Sequence, residues 1–183
     1  MRVISGKLKG RNIKGYQIDG TRPTMDRVKE SVFASIQDYL EDSVVLDLFA
    51  GSGNLGIEAI SNGVLKCYFV DNNHECVKTI KENIKEFGIE SQAVVIEKDY
   101  QKALDYFKDN QIVFDVILVD PPYRYEVIEE IVEYVYQNHL LSDQGIMVLE
   151  YQKMNDRKID EHYQLLRCKK YGDKYVSIYQ LNC

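Results

Sequence analysis

Residues 44–56 read VVLDLFAGSGNLG, and no other stretch limits the possible folds as strongly. The apolar start, rich in β-branched residues, has the character of a strand buried on both faces. Asp47 follows, then glycines at 51, 53 and 56. Gly51 and Gly53 lack a Cβ, so the chain can turn sharply there and approach a ligand closely. Residues 54–62 (NLGIEAISN) have the pattern of a helix that Gly63 ends. Strand, glycine loop and helix in succession are the means by which an α/β sheet grips a nucleotide-like cofactor.

The spacing Gly51-x-Gly53-x-x-Gly56 also fits a dinucleotide fingerprint. Asp47 discriminates between the two cofactors. A pyrophosphate is anionic, and a carboxylate at the mouth of the loop repels it. S-adenosylmethionine carries an ammonium, a sulfonium and a ribose, all compatible with a carboxylate. The pattern D-x-F-x-G-x-G-x-x-G resembles the first motif of Rossmann-like methyltransferases, with Phe49 and Ser52 inside it. A glycine turn that binds nothing is the third alternative.

The remaining elements follow in order. Residues 66–70 (KCYFV) form a second strand ending at Asp71, which lies 20 residues after Gly51. A carboxylate there, beside Asn72, can accept hydrogen bonds from ribose hydroxyls. A helix over 73–87 closes at Gly88. Residues 93–97 form a third strand, followed by Asp99 and Tyr100. Asp99 is placed either to meet an adenine amino group or to cap the helix over 100–108, and both roles are compatible. A fourth buried strand over 114–119 ends in Asp120-Pro121-Pro122-Tyr123, a helix covers 126–138 and a fifth strand 145–151. Residues 163–170 and 174–181 flank Gly172-Asp173 as a terminal hairpin. This order predicts an α/β class, a Rossmann-like and mostly parallel sheet with a C-terminal antiparallel hairpin.

Ahead of it, residues 2–5 and 12–16 read as a small basic hairpin, and Thr24 as the N-cap of a helix over 25–39. Residues 1–40 are thus expected as a basic extension and 41–183 as the catalytic domain, together one compact unit. The net charge is −6, but it is unevenly spread. Residues 1–29 hold eight cations against Asp19 and Asp26, a balance of +6 that leaves −12 on the rest. Arg2, Lys7, Lys9, Arg11, Arg22 and Arg27 are the candidate contacts to a polyanion. Arg22, Arg27 and Lys29 stand near the start of a helix, where its dipole disfavours cations, so a task such as holding phosphate is expected of them, with ordinary surface charge as the alternative. No comparable basic stretch is evident in the body.

No apolar run reaches the ~20 residues that span a bilayer. The first ten residues lack the apolar core of a signal peptide, so a cytoplasmic protein is expected. Cys67, Cys76, Cys168 and Cys183 form no C-x-x-C pair, and His74, His139 and His162 stand far apart. Reduced thiols and no metal site are expected. A monomer is the expected state.

Asp120-Pro121-Pro122-Tyr123 is the second stretch that carries chemistry. Two prolines remove two N–H donors and stiffen the chain, leaving carbonyl acceptors in a fixed geometry. Asp120 adds a carboxylate acceptor and Tyr123 a flat ring. The set suits a planar base with an exocyclic amine, whose hydrogens go to Asp120 and the Pro121 carbonyl while the ring stacks on Tyr123. Such an amine is a poor nucleophile because its lone pair is delocalised, and holding its hydrogens favours a pyramidal nitrogen. Alignment and charge complementarity then carry the reaction. The base must be unpaired or splayed out to be reached. A strand-ending structural turn is the alternative.

RVISGKLKGR at 2–11, RPTMDRVKESVF at 22–33, DLFAGSGNLGIEA at 47–59, DPPY at 120–123 and YGDKYVSIY at 171–179 together resemble the RsmD-type methyltransferases. These methylate the N2 amine of guanine 966 in bacterial 16S ribosomal RNA. The resemblance implies S-adenosylmethionine as cofactor, with Asp47, Phe49, Gly51, Ser52, Gly53, Asp71, Asn72, Asp99 and Tyr100 around it. It implies Asp120, Pro121 and Tyr123 at the target base, Arg22 and Arg27 as a basic pair beside the site, and the small ribosomal subunit or its assembly intermediate as partner. Lys29, Ala34, Asn54 and Lys174 depart from the family's usual Arg, Asn, small residue and Thr. Base identity rests on the resemblance, because an acceptor set takes any exocyclic amine. DNA adenine-N6 or cytosine-N4 methylation, a dinucleotide-dependent oxidoreductase and a non-catalytic RNA-binding assembly factor are the competing readings.

Overall fold

The computed structural model describes residues 1–15, 23–122, 125–152, 159 and 162–182. Seven strands among them make one sheet: β1 Val44–Asp47, β2 Lys66–Asp71, β3 Ala93–Glu97, β4 Phe114–Val119, β5 Leu141–Tyr151, β6 Tyr163–Tyr171 and β7 Lys174–Leu181. Their spatial order is β3-β2-β1-β4-β5-β7-β6. β1 to β5 run parallel, and β7 pairs antiparallel with both β5 and β6. The expected parallel sheet with a terminal hairpin is therefore the observed architecture.

Side-chain alternation builds two cores from one sheet. Val45 points to the side covered by α1 (Pro23–Ser35), α2 (Asn54–Ser61) and α3 (His74–Phe87). Its neighbour Leu46 points to the side covered by α4 (Tyr100–Asp109) and α5 (Tyr125–Gln137). Burial on both faces explains why β1 and β4 read as continuous apolar runs. Helix ends follow the local chemistry. Asn73 caps α3 by accepting from the Glu75 and Cys76 N–H groups, and Gly88 closes it in the left-handed conformation at φ 67°. Cys67, Cys76 and Cys168 form no disulfide, the first two being buried and the third half-buried.

Two expectations about the N-terminal segment need correction. α1 starts at Pro23, so Thr24 lies inside the helix and is not its N-cap. Proline suits the first helical position because the N–H it lacks has no helical partner there. The helix also stops at Ser35, whose hydroxyl donates back to the Ser31 carbonyl at 2.7 Å, and a separate 3₁₀ turn covers Gln37–Tyr39. The basic hairpin is present in irregular form: Arg2 and Asn12 make an antiparallel bridge, the Val3 N–H donates to the Arg11 carbonyl, the Gly10 N–H to the Val3 carbonyl and the Ile13 N–H to the Met1 carbonyl. Further backbone groups of the segment are satisfied by α2. The Glu58 carboxylate accepts from the Ile4 and Ser5 N–H groups, while Lys7 and Leu8 donate to the Ser61 carbonyl and hydroxyl. Val3, Leu8 and Ile13 are buried against the same side of the domain.

Glu58 is fully buried, and the Lys29 ammonium meets it at 2.9 Å with 2 % of its side chain exposed. Lys29 also donates to the Arg2 carbonyl and the Asn54 side chain. The expectation that Lys29 holds phosphate is thereby corrected: burial pulls its pKa down, and Glu58 supplies the counter-charge. Glu58→Gln should cost about 3–5 kcal/mol in chemical denaturation, because Lys29 would stay buried without a counter-charge. Gly56→Ala should cost about 1–3 kcal/mol in the same assay. A Cβ there would meet the Phe69 ring at 2.3 Å and the Cys67 sulfur at 2.9 Å.

Candidate active site

β1 lies between β2 and β4, so the chain leaves β1 toward one edge of the sheet and returns to the other side at β4. That reversal opens a crevice beyond the carboxyl ends of β1 and β4. Asp47 pairs with Leu118 across the two strands, which sets Asp120 beside the glycine loop. The loop is stitched to both neighbours. The Leu48 N–H donates to the Leu118 carbonyl at 3.1 Å, and the Ala50 N–H to the Val70 carbonyl at 2.9 Å. Gly51 and Gly53 take left-handed φ values of 56° and 81°, and Gly53 begins α2. A Cβ on Gly51 would have nothing within 4 Å, so that turn faces open space.

Two carboxylates hold this turn from below and beside it. Asp47 is 2 % exposed, and its Oδ2 accepts from the Gly56 N–H at 2.9 Å. It thus lies beneath the loop instead of standing at its mouth. Burial pushes its carboxyl up to about 7 against the lowering effect of the Gly56 bond, with Asp120 and Asp71 adding repulsion. Asp71 Oδ2 accepts from the Gly51 N–H at 2.8 Å and Oδ1 from the Asn73 N–H at 2.9 Å. Each oxygen keeps a second acceptor position. Asn72 beside it is exposed, and Ser52 is buried with its carbonyl accepting from Asn83.

Asp99 caps α4, accepting from the Lys102 N–H at 3.0 Å, and that bond holds its carboxyl below the usual range. The capping role is observed, and the half-buried side chain still borders the crevice side of β3. Phe49 and Tyr100 pair with ring centroids 5.5 Å apart and tilted by 44°, and Tyr100 donates to Glu130. They form an aromatic wall from the β1 loop to the start of α4.

Asp120 ends β4 with 39 % of its side chain exposed and the Lys174 ammonium 4.0 Å away. Partial burial and the neighbouring Glu150 push its carboxyl up to about 7, while Lys174 opposes the shift. Lys174 also forms an ion pair with Glu150. Glu150 carries no motif, and strand pairing alone reveals it: β5 and β7 meet with Glu150 opposite Val176, which brings the start of β7 to the end of β4. Pro121 is half-buried beside Asp120. Tyr123 and Arg22 lie outside the described residues.

The basic residues of the N-terminal segment divide by position. Arg2 pairs with Asp26 at 3.5 Å near the start of α1, and Arg27 is exposed on the same helix. Lys7 donates to Gln92, and Arg11 donates to the Glu86 carbonyl at 2.7 Å while lying 4.3 Å over the Phe87 ring. Arg11 therefore caps the negative end of α3. Lys7, exposed Lys9 and Arg11 sit by the ends of α2 and α3 that lie opposite Asp120. Among the described residues, no three His, Cys, Asp or Glu side chains gather as a metal site. Likewise no described helix is long and apolar enough to cross a membrane.

A family profile described as "Conserved hypothetical protein 95" matches residues 1–180. The Haemophilus influenzae "Ribosomal RNA small subunit methyltransferase D" is 34 % identical over 98 % of this chain and 93 % of its own length. The Escherichia coli protein of the same name is 27 % identical, over 98 % and 89 %. The solved Escherichia coli yhhF structure superposes with a TM-score of 0.87 at 26 % identity, covering 100 % of this chain and 98 % of that one. The structure of SMU.776 complexed with SAH shares the fold at a TM-score of 0.72 and 12 % identity, over 86 % of this chain and 49 % of that one. With the family profile spanning nearly its whole length and the fold shared from end to end, this chain belongs to the RsmD family.

Proposed function

We propose that this chain methylates the exocyclic N2 amine of guanine 966 in 16S ribosomal RNA, with S-adenosylmethionine as methyl donor. The observation that carries the proposal is the adjacency of the β1 glycine loop and Asp120 at the carboxyl end of β4. The names of the Haemophilus influenzae and Escherichia coli relatives support the RNA substrate. Residues 1–40 would then contribute RNA contacts through Arg2, Arg22 and Arg27. Lys7, Lys9 and Arg11 would extend them only if RNA reaches the opposite end of the sheet.

The residues present fit the cofactor. The left-handed Gly51 turn is an open cradle, Asp71 keeps acceptor positions for ribose hydroxyls, and Phe49 with Tyr100 offers an apolar wall for a flat base. Asp47 and Asp120, both with raised pKa, supply negative charge that a cation would favour. When bound, S-adenosylmethionine supplies a methyl group activated by the sulfonium. Ser52, Gly53 and Asn72 border the same cradle, and Asp99 faces the adenine end. At the target base, Asp120 and the Pro121 carbonyl accept the amine hydrogens, and Tyr123 stacks on the ring. Asp120 then takes the proton the amine releases, or passes it to water.

Purified protein, labelled S-adenosylmethionine and unmethylated small subunits should yield N2-methylguanosine on nucleoside analysis. Methyladenine or methylcytosine from single-stranded DNA would replace the guanine assignment. Asp120→Ala should lower turnover by ~10²–10⁴-fold while binding of S-adenosylhomocysteine, which lacks the sulfonium charge, stays within about threefold by calorimetry. The raised carboxylates set the sign of the pH effect. A cationic ligand favours the ionised form, so its binding releases protons and tightens as pH rises through about 7. S-adenosylhomocysteine, neutral at sulfur, should show a shallower rise over the same range. Equal slopes for the two ligands would remove these carboxylates from sulfonium recognition.

A further inference from the structure

The body of the chain carries a basic surface that its linear sequence conceals. β6 pairs with β7 through Arg167 opposite Ile178, Lys169 opposite Val176 and Tyr171 opposite Lys174. Directly opposed residues share a sheet face. Val176 and Ile178 point into the core beneath α1, so Arg167, Lys169, Tyr171 and Lys174 stand on that face too. The irregularity between Leu165 and Arg167 sets this register and separates the two apolar residues from the basic ones.

Contacts between β6 and α1 confirm the placement. Arg167 donates to the Ser35 hydroxyl at 2.6 Å. The Lys169 ammonium reaches the Ser31 hydroxyl at 3.4 Å, and the Tyr171 hydroxyl donates to the same oxygen at 2.6 Å. Arg27, Ser31 and Ser35 are spaced by four and share one face of α1. Cations from two elements remote in sequence thus line one seam. The side-chain hydrogen-bond partners seen for Arg167 and Lys169 among the described residues are neutral hydroxyls, which leave the charge available. Elsewhere on the surface Lys14, Lys102 and Lys108 pair with carboxylates. At the active-site end of the seam stands Lys174, 4.0 Å from Asp120.

We propose that the seam between α1 and β6, carrying Arg27, Arg167 and Lys169, is the track on which the RNA backbone lies as its target base enters the site. The proposal rests on RNA being the substrate. Exposed cations in a row, ending at the acceptor of a base amine, match a phosphate chain whose one nucleotide is turned inward. The N-terminal segment is the weaker candidate for this task, because Lys7 and Arg11 are spent on the opposite end of the sheet.

The test is an Arg167→Gln, Lys169→Gln double variant beside a control, Lys78→Gln, Lys81→Gln, Lys85→Gln. The control residues surround a shallow depression on the outer face of α3 and remove more charge than the double variant. Binding to a protein-free 16S RNA fragment containing the target loop is measured by fluorescence anisotropy across salt concentrations. The double variant should bind roughly tenfold more weakly at about 150 mM salt, and its log K against log salt slope should fall by about 1.4. Its turnover loss should lie in KM for RNA and not in kcat, and Arg167→Lys should restore much of the binding. Unchanged binding, or an equal loss in the control, overturns the proposal. A loss seen only with assembled subunits assigns the seam to a ribosomal protein and also overturns it. The two readings fail separately. Absence of RNA methylation by the wild type would end the proposed reaction while the binding arm still judges the seam.

Discussion

A single buried carboxylate ties the N-terminal segment and α1 to the catalytic sheet. Glu58 sits inside α2 with no solvent exposure and accepts from two backbone N–H groups, the Ser5 hydroxyl and the Lys29 ammonium. Burying a charge is unfavourable unless it is paired and hydrogen-bonded, so the site tolerates no partial assembly. Its four partners come from the first five residues and from α1. The charge therefore fixes α1 against α2, and with it the face of α1 that meets β6. The Lys29 ammonium at this point also explains a cation near a helix start, where the dipole alone opposes it.

The crevice is built from the same residue type used differently. Asp47 is beneath the glycine turn, Asp71 beside it, Asp99 at the head of α4 and Asp120 at the end of β4. Asp71 and Asp99 accept from backbone N–H groups, and at Asp99 that bond favours the charged form. Asp47 and Asp120 are partly or wholly desolvated, and both are raised to about 7. The first pair shapes the backbone. The second pair stores an electrostatic penalty that a cation relieves. One end of an open sheet thus combines a rigid turn with an environment that prefers positive charge.

Charge on the outside follows a different logic. The most basic segment of the chain lies partly at the wrong end of the sheet for the crevice, with Arg11 capping α3 and Lys7 bound to Gln92. Among the described residues, the cation that pairs with Asp120 comes instead from the C-terminal hairpin. Lys174, a departure from the usual family residue, bridges Asp120 and Glu150. Local charge density is a poor guide to a docking surface when helix ends and buried acids also demand cations.

The linear order of residues was enough to determine the α/β class, the glycine turn, the strand-ending aspartates and the acceptor motif after β4. Each depends on local rules: apolar runs make buried strands, left-handed turns need glycine, and prolines after an aspartate leave acceptors exposed. Element bounds were legible to within a few residues wherever a cap was present, as at Asn73 and Gly88. Local rules gave the antiparallel pairing of residues 1–13 but not its anchoring by Glu58 and Ser61, partners more than fifty positions away. They also missed the burial of Lys29 and Asp47, the approach of Glu150 and Lys174 to Asp120, and the cationic seam along α1. These arise from strand order and register, which place β4 beside β1 and β7 beside β5. Sequence alone determined which chemical groups the crevice has, and tertiary structure decided which of them are desolvated, paired or left for a ligand, because both Coulomb energy and solvation depend on three-dimensional distance and burial.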